Sequence, residues 1–309
     1  MRSRKIILAA FVAVFTFGVA IVATSAAYAA QSTVDLKTAE PFAILAGTPG
    51  ITDAGNTSVI NGNVGLSPAT GAGIGLLCSQ VTGTIYSVDA TGPLPCRVTN
   101  GPLLVTAKND LTAAFTDAAG RTPVTTVPTE LGGTTKTAGV YDSASTTFGI
   151  TAGAGPLVLD GQGDSSSVFI FEMNASGTGL TVGPGSTVSL INGAQACNVF
   201  WRVDTAAIDT TATFKGNILA LTSISVANGA NIEGRLLARN GDVSLINDTI
   251  TAPTCTTPSG GTGGGTTVPG LPNTGEKPNY QMGILIGAAT VIVAILTAAS
   301  YSVYKKRTN

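Results

Sequence analysis

The sequence predicts a mainly β fold: a β-solenoid of triangular cross-section with one amphipathic helix along its side. Three observations lead there. Short apolar words recur at a spacing near 18 residues. Gly is abundant, at 39 of 309 residues, while charged residues make up only 11% and aromatics 6%. That mixture suits short strands joined by tight corners, because Gly and Asn adopt positive φ at low cost. One segment alone carries a helical period.

The repeat comes first, because it decides the architecture. Val188-Ser189-Leu190-Ile191-Asn192 recurs word for word as Val243-Ser244-Leu245-Ile246-Asn247, and Ile224-Ser225-Val226-Ala227-Asn228 has the same pattern. A second word, apolar-polar-Gly-polar-apolar, appears as Ile60-Asn61-Gly62-Asn63-Val64 and Val81-Thr82-Gly83-Thr84-Ile85. It returns as Phe214-Lys215-Gly216-Asn217-Ile218 and Ile232-Glu233-Gly234-Arg235-Leu236. At about 3.3 Å per residue, a period of about 18 makes three strands of four or five residues plus corners, one triangular coil. The apolar residue of each word points inward and stacks on its equivalent about 4.8 Å away. Ser167-Val168-Phe169-Ile170-Phe171 and Asn198-Val199-Phe200-Trp201-Arg202 read as further strands with looser spacing. Insertions, or a chain order that differs from the spatial order, are expected there.

Residues 103–120 break the pattern. Leu104, Ala107, Leu111, Phe115 and Ala118 fall on one helical face, with Lys108, Asn109, Thr112, Thr116 and Asp117 elsewhere. Gly120 suits the C-cap.

These words also resemble the bacterial and fungal ice-binding-protein-like family. The resemblance rests on Phe42-Ala43-Ile44-Leu45-Ala46-Gly47, Gly62-Asn63-Val64-Gly65-Leu66-Ser67-Pro68 and the helical run from Asp110 through Leu111, Phe115 and Gly120 to Arg121. It continues in Leu159-Asp160-Gly161-Gln162-Gly163-Asp164, Asn198-Val199-Phe200-Trp201, Thr213-Phe214-Lys215-Gly216-Asn217-Ile218-Leu219-Ala220 and Gly234-Arg235-Leu236-Leu237-Ala238. The match covers about residues 34–252 and implies a right-handed, discontinuous β-solenoid with a long helix alongside. Characterised members bind ice through one flat solenoid face. Such a face needs regularly spaced small hydroxyl, amide and methyl groups, and long charged side chains would spoil it.

Two columns of the repeat alignment are candidates for that face: Thr210, Asn228 and Asn247, and Thr213, Asn231 and Thr249. Asp248 interrupts the third row. The competing reading makes these six residues ordinary corners, where Asn and Thr hydrogen-bond the turning backbone. Another side of the prism is the further alternative, with Thr178, Thr181 and Thr187, or Thr146 and Thr147, as its candidates. The functional expectation is ice adhesion or inhibition of recrystallisation at a cell surface; the alternative is an adhesin or structural module on the same fold.

The ends of the chain carry addresses. Residues 1–29 have a basic start, an apolar run and the small-x-small site Ala27-Tyr28-Ala29, the three parts of a secretory signal peptide. An uncleaved anchor is the alternative. A folded domain is expected over residues 30–255, about 225 residues, enough for one large domain. A Gly/Thr-rich linker at 256–270 follows, with a root-mean-square span of about 20–25 Å. Then come Leu271, Pro272, Asn273, Thr274 and Gly275, an uncharged stretch at 282–304 long enough to cross a bilayer, and the basic tail Lys305-Lys306-Arg307. This order closely resembles a sortase sorting signal; a simple single-span membrane protein is the alternative. The resemblance implies that a sortase cysteine attacks the Thr274 carbonyl, releases the chain from Gly275 onward and passes the acyl group to an amine of peptidoglycan. The expected location is the cell wall, with the membrane crossed only before sorting.

The remaining composition narrows the chemistry. The chain has no histidine, which excludes imidazole bases, Ser-His and Cys-His schemes and imidazole-ligated zinc. The acids Asp160, Asp164, Glu172, Asp204 and Asp209 are scattered in the sequence, so neither an enzyme nor a metal site is expected, nor any cofactor. A net charge of −1 gives no basic field for nucleic acid. Four cysteines in an exported chain allow three full pairings. We favour Cys78–Cys96, which closes a short loop, and Cys197–Cys255, which ties the domain's end to its body, with free thiols as the alternative.

Overall fold

The computed structural model describes residues 31–173 and 179–256. The expected signal peptide, the linker beyond Thr256 and the sorting signal lie outside the described residues. Alternation of small polar and apolar residues, with Gly or Asn at the breaks, produces short strands that stack in parallel into three faces.

Face A is built, in spatial order, from Arg97–Thr99, Ile85–Ser87, Asn63–Leu66, Phe42–Ala46, Asn231–Ala238, Thr213–Ala220, Val199–Val203, Phe169–Glu172, Gly139–Ser143 and Val124–Val127. Face B stacks Phe148–Ile150, Gly179–Val182, Thr205–Ile208, Ile224–Val226, Val243–Leu245, Ile51–Asp53 and Ile74–Gly75. Face C begins with Thr135–Thr137, Leu157–Asp160 and Val188–Ile191. A bridge from Thr187 to Thr213 joins these to the first halves of the two long strands, then to Thr249–Thr251 and Val59–Asn61. The long strands serve two faces because they turn at Gly216 and Gly234. Gly216 has φ +113°, and a Cβ on Gly234 would lie 1.9 Å from the Gly216 carbonyl oxygen, so neither position admits a side chain.

The chain order is not the spatial order, as the loose spacing suggested. The chain enters in the middle of the stack, at Phe42–Ala46, and builds towards one end, at Arg97–Thr99. The helix Gly101–Ala119 then returns along the outside of face A. Its 19 residues span about 28 Å, close to the six strand spacings, about 29 Å, that separate Ile85–Ser87 from Phe169–Glu172. Coils from Val124 onward climb back to the middle.

The helix starts two residues earlier than its periodicity indicates, because Asn100 accepts a hydrogen bond from the Leu103 N–H at 3.1 Å and Pro102 fits the first turn. Gly120 ends it in a right-handed conformation, φ −95°. Leu104, Ala107, Leu111, Phe115 and Ala118 are all buried, as expected, and Ala114 joins them. They pack on the outward residues Phe42, Leu45, Ile170, Phe200, Leu219 and Leu237 of face A, each worth about 1.5–3 kcal/mol if fully buried. Gly65 lets the helix approach: a Cβ there would meet Leu104 Cδ2 at 2.7 Å.

The interior is a second core. Tyr141, Phe171 and Trp201 occupy one inward column, with ring centroids 5.3 Å and 4.1 Å apart and near-parallel planes. Ile218, Leu236, Ile44, Val64 and Ile85 continue it. Both favoured disulfides are present, Cys78–Cys96 and Cys197–Cys255, with sequence separations of 18 and 58.

The final coil docks on the first. Ile44 pairs with Leu236, Ile51 with Val243, and Val59 with Thr249. Buried Arg235 sews this join: its Nε donates to the Glu40 carbonyl at 2.6 Å, and its terminal nitrogens donate to Asn217 Oδ1 at 2.9 Å and the Pro253 carbonyl at 3.0 Å. Asn217 in turn donates to the Cys197 and Val199 carbonyls. Replacing Arg235 by Ala strands several buried acceptors. Arg235→Ala is expected to lower unfolding stability by about 3 kcal/mol, read from denaturant midpoints at unchanged m-value; a loss below about 0.5 kcal/mol would contradict this role.

Candidate functional site

A ligand surface has to be free, and the helix covers face A. Faces B and C remain, and their outer sides follow from strand alternation.

On face B the inward positions are apolar and buried: Phe148, Ile150, Leu180, Val182, Ile208, Ile224, Val226, Val243 and Ile51. The outward residues between them form one column in ladder register: Gly149, Thr181, Ala207, Ser225, Ser244, Thr52 and Gly75. Each is exposed or half-exposed, and none carries a charge or a long side chain. A flanking column holds Thr151, Gly183, Asp209, Ala227, Ile246 and Ala54, set by ladder bonds such as Ala227 N–H to the Ile208 carbonyl and Ala54 N–H to the Leu245 carbonyl. Asp209 is the one charge in that flank. Thr52, Thr181, Ala207, Ser225 and Ser244 line one shallow depression of about 360 Å³. Adjacent coils lie about 4.8 Å apart, and alternate residues along a strand about 6.6 Å apart. The result is a lattice of hydroxyls and methyls on a rigid support.

Face C differs. Thr213, Asn231 and Thr249 form its first outward column in register, followed by Val59. Two residues further along each strand lie Lys215, Glu233 and Thr251, and Lys215 Nζ makes an ion pair with Glu233 at 2.7 Å. The other three candidates, Thr210, Asn228 and Asn247, line the corner between faces B and C. Asn247 Nδ2 donates to Asn228 Oδ1 at 3.3 Å, and the Thr211 N–H bonds the Asn228 carbonyl. The structure therefore brings the six candidates together along one edge, with a charged pair beside the second column. Of the alternative residues, Thr181 is the second residue of the face B column, between Gly149 and Ala207. Thr187 bridges to Thr213 on face C, Thr146 and Thr147 precede Phe148, and Thr178 lies outside the described residues.

The edge is held from within by carboxylates. Asp248 is buried and accepts from the Ala230 N–H at 2.9 Å and the Ile246 N–H at 2.8 Å, which fixes the corner under Asn247. Its own N–H donates to Ser58 Oγ, whose hydroxyl donates to Asp53. Burial pushes the Asp248 carboxyl up to about 6, and the nearby Asp53 adds to the shift.

The Asp160–Asp164 turn is a corner as well. Asp160 Oδ1 accepts from the Gln162 N–H and from Asn192 Nδ2, and Asp164 Oδ1 accepts from Ser166. Among the described residues, no three His, Cys, Asp or Glu side chains are placed to hold a metal ion.

Comparison with known proteins adds the following. The family model described as ice-binding-like matches residues 44–251. An ice-binding protein of Colwellia sp is 41% identical over 225 residues, covering 72% of this chain and 84% of that protein. One from Flavobacterium frigoris (strain PS1) is 40% identical over 224 residues, covering 71% and 76%. Among solved structures, the DUF3494 domain of Shewanella frigidimarina ice-binding protein 1 superposes with TM-score 0.65 at 29% identity, over 74% of this chain and all of that one. An ice-binding protein from an Antarctic biological consortium gives 0.62 at 34% identity, over 74% and 94%.

The buried edge yields a pH prediction. Because the folded-state value of Asp248, about 6, is raised above the ordinary 3.8, this group contributes stability that is full below about pH 4 and is lost as pH rises through 6. The difference in melting temperature between wild type and Asp248→Asn should therefore shrink from pH 4 to pH 7. A difference that stays constant, or grows with pH, would remove this account.

Proposed function

The chain belongs to the ice-binding-like family, and from that premise we propose that it binds ice through face B while held at a cell wall. The observation that carries this reading is the column Gly149, Thr181, Ala207, Ser225, Ser244, Thr52 and Gly75. Small hydroxyls and methyls at fixed spacing let surface water settle into an ordered layer continuous with a crystal. A strongly hydrated ammonium or carboxylate would keep its own water instead. Face C, with Lys215 and Glu233 beside its Thr213–Asn231–Thr249 column, suits that task less. The activity is binding, and no residue is assigned a catalytic role.

The anchoring part of the proposal is supported by the ends of the sequence. A signal peptide at 1–29 would export the chain. A sortase would then join Thr274 to peptidoglycan, after recognising Leu271, Pro272, Thr274 and Gly275. The apolar stretch at 282–304 that would hold the chain for this reaction lies outside the described residues; among the described ones no helix is long and apolar enough to cross a membrane.

Two experiments test these parts separately. Thr181→Tyr and Ser225→Tyr should each cost at least about tenfold in the concentration needed to inhibit ice recrystallisation, roughly 1.4 kcal/mol. Asn231→Tyr, on face C, should change it little. The reverse ranking would move the site to the six-residue edge, and an inactive wild type would leave a surface adhesin on the same fold. For anchoring, Thr274→Ala should shift the protein from the wall fraction to the membrane fraction of its own cells; an unchanged wall fraction would rule out sorting at that residue.

A further inference from the structure

The described domain begins and ends at one place. Arg121 donates to the Ser32 and Thr33 carbonyls, and Gln31 Nε2 donates to the Thr122 carbonyl. Gln31, Ser32 and Thr33 line the same cleft as Gln195, Cys255 and Thr256. Thr256 is gripped by Gln195: its N–H and hydroxyl donate to Gln195 Oε1 at 2.7 and 2.8 Å, and Gln195 Nε2 donates back to the Thr256 carbonyl at 3.0 Å. The same Nε2 also reaches the Ser165 carbonyl at 2.7 Å. Gln195 and Cys197 lie where face C passes into face A. In a three-sided coil, that edge is opposite face B. The chain therefore leaves the domain on the side away from the surface proposed to hold ice.

One residue before the exit, Cys255 is bonded to Cys197. We propose that this disulfide is a load clamp: force from the Gly149 and Thr181 end of face B reaches the tether through Cys197 without passing along residues 198–254, and force on Ala207, Ser225 and Ser244 is shared between the two ends of that closed loop. The inference rests on the reading of face B as the held surface and of Thr274 as the anchor. Without the clamp, tension on Thr256 would act first on Thr249–Thr251 and then on the coil from Asn231, opening ladder bonds one at a time. That coil is also the one that docks on Phe42–Ala46 and Ile51–Asp53, so its loss would part the two arms of the solenoid. With the clamp, tension enters beside Val199–Val203, a strand paired on both sides and carrying the stacked Trp201. Cys78–Cys96 has no such place, because it closes a loop inside the opposite arm.

The test pulls on the full chain in detergent. One handle is an azide-bearing aromatic residue placed at Thr181. The other is sortase coupling of Thr274 to an oligoglycine bead, with a C-terminal biotin as a separate second handle. Residue 181 is 16 residues from Cys197 along the chain and 75 from Thr256. Beyond the common tether, the wild type should release at most about 60 Å from the domain, while the Cys197→Ser/Cys255→Ser variant should release about 260 Å and rupture first at a lower force. Cys78→Ser/Cys96→Ser should behave as wild type. Should the first variant fail to fold, reductant added to the folded, tethered wild type gives the same comparison. Equal first-rupture forces with and without the Cys197–Cys255 bond would overturn the clamp. If the sortase handle fails to couple while the biotin handle shows the expected difference, the anchor reading falls and the clamp stands.

Discussion

Everything in this domain depends on one seam, where the last coil of the chain docks on the first. Strands whose partners lie about 190 residues apart in sequence pair there on all three faces, and Arg235 crosses the seam to the Glu40 carbonyl. The seam is costly to make, because a long loop must close before any of its contacts form. It also unites the outer surfaces. On face B, Ser244 belongs to the last coil and Thr52 to the first, and they are ladder neighbours. A seven-residue column exists only because two separately built arms meet in register. Gly216 and Gly234 keep the adjoining coils closely nested, and Asn217 ties Arg235 to the coil beyond.

The helix decides which surface is left for a ligand. Phe42, Leu45, Ile170, Phe200, Leu219 and Leu237 point out of face A, and without Gly101–Ala119 above them they would form an apolar strip in water. Once that side is sealed, two faces remain. The ion pair between Lys215 and Glu233 separates them in character. Face B, whose middle column has no charge at all, is left as the dry-looking side of the prism.

Much of this was legible in the residues. The recurring words place coils because an inward apolar position must be filled in every coil. The helix stands out because its period is 3.6 in a chain whose other segments alternate. Of the pairings the cysteines allow, the two favoured from their positions are the ones the structure holds. The outward column of face B was harder to see. Ser225 and Ser244 sit inside the very words that reveal the repeat, Ile224-Ser225-Val226 and Val243-Ser244-Leu245, and served there only as the polar half of an alternation. Ala207, Gly149 and Gly75 carry no chemical signal of their own. Thr181 drew notice only as one of several threonines. The corner residues Thr210, Asn228 and Asn247 attract the eye instead, because amides and hydroxyls look like ligand chemistry even where they also serve the turning backbone. Nor does the sequence say that Thr52, from the first coil, completes a row begun at residue 149, since that adjacency exists only across the seam.

The seam also has a consequence in time. A chain is synthesised from its N-terminus, so Phe42–Ala46 is available early and its partner strand Asn231–Ala238 only much later. Until that partner arrives the first coil has one strand edge open, a template for pairing with the wrong neighbour. Contacts this far apart in sequence also make for slow folding. Completion of the domain therefore waits on the final coil, and for a chain of this design the interval between synthesis and closure is its most vulnerable period.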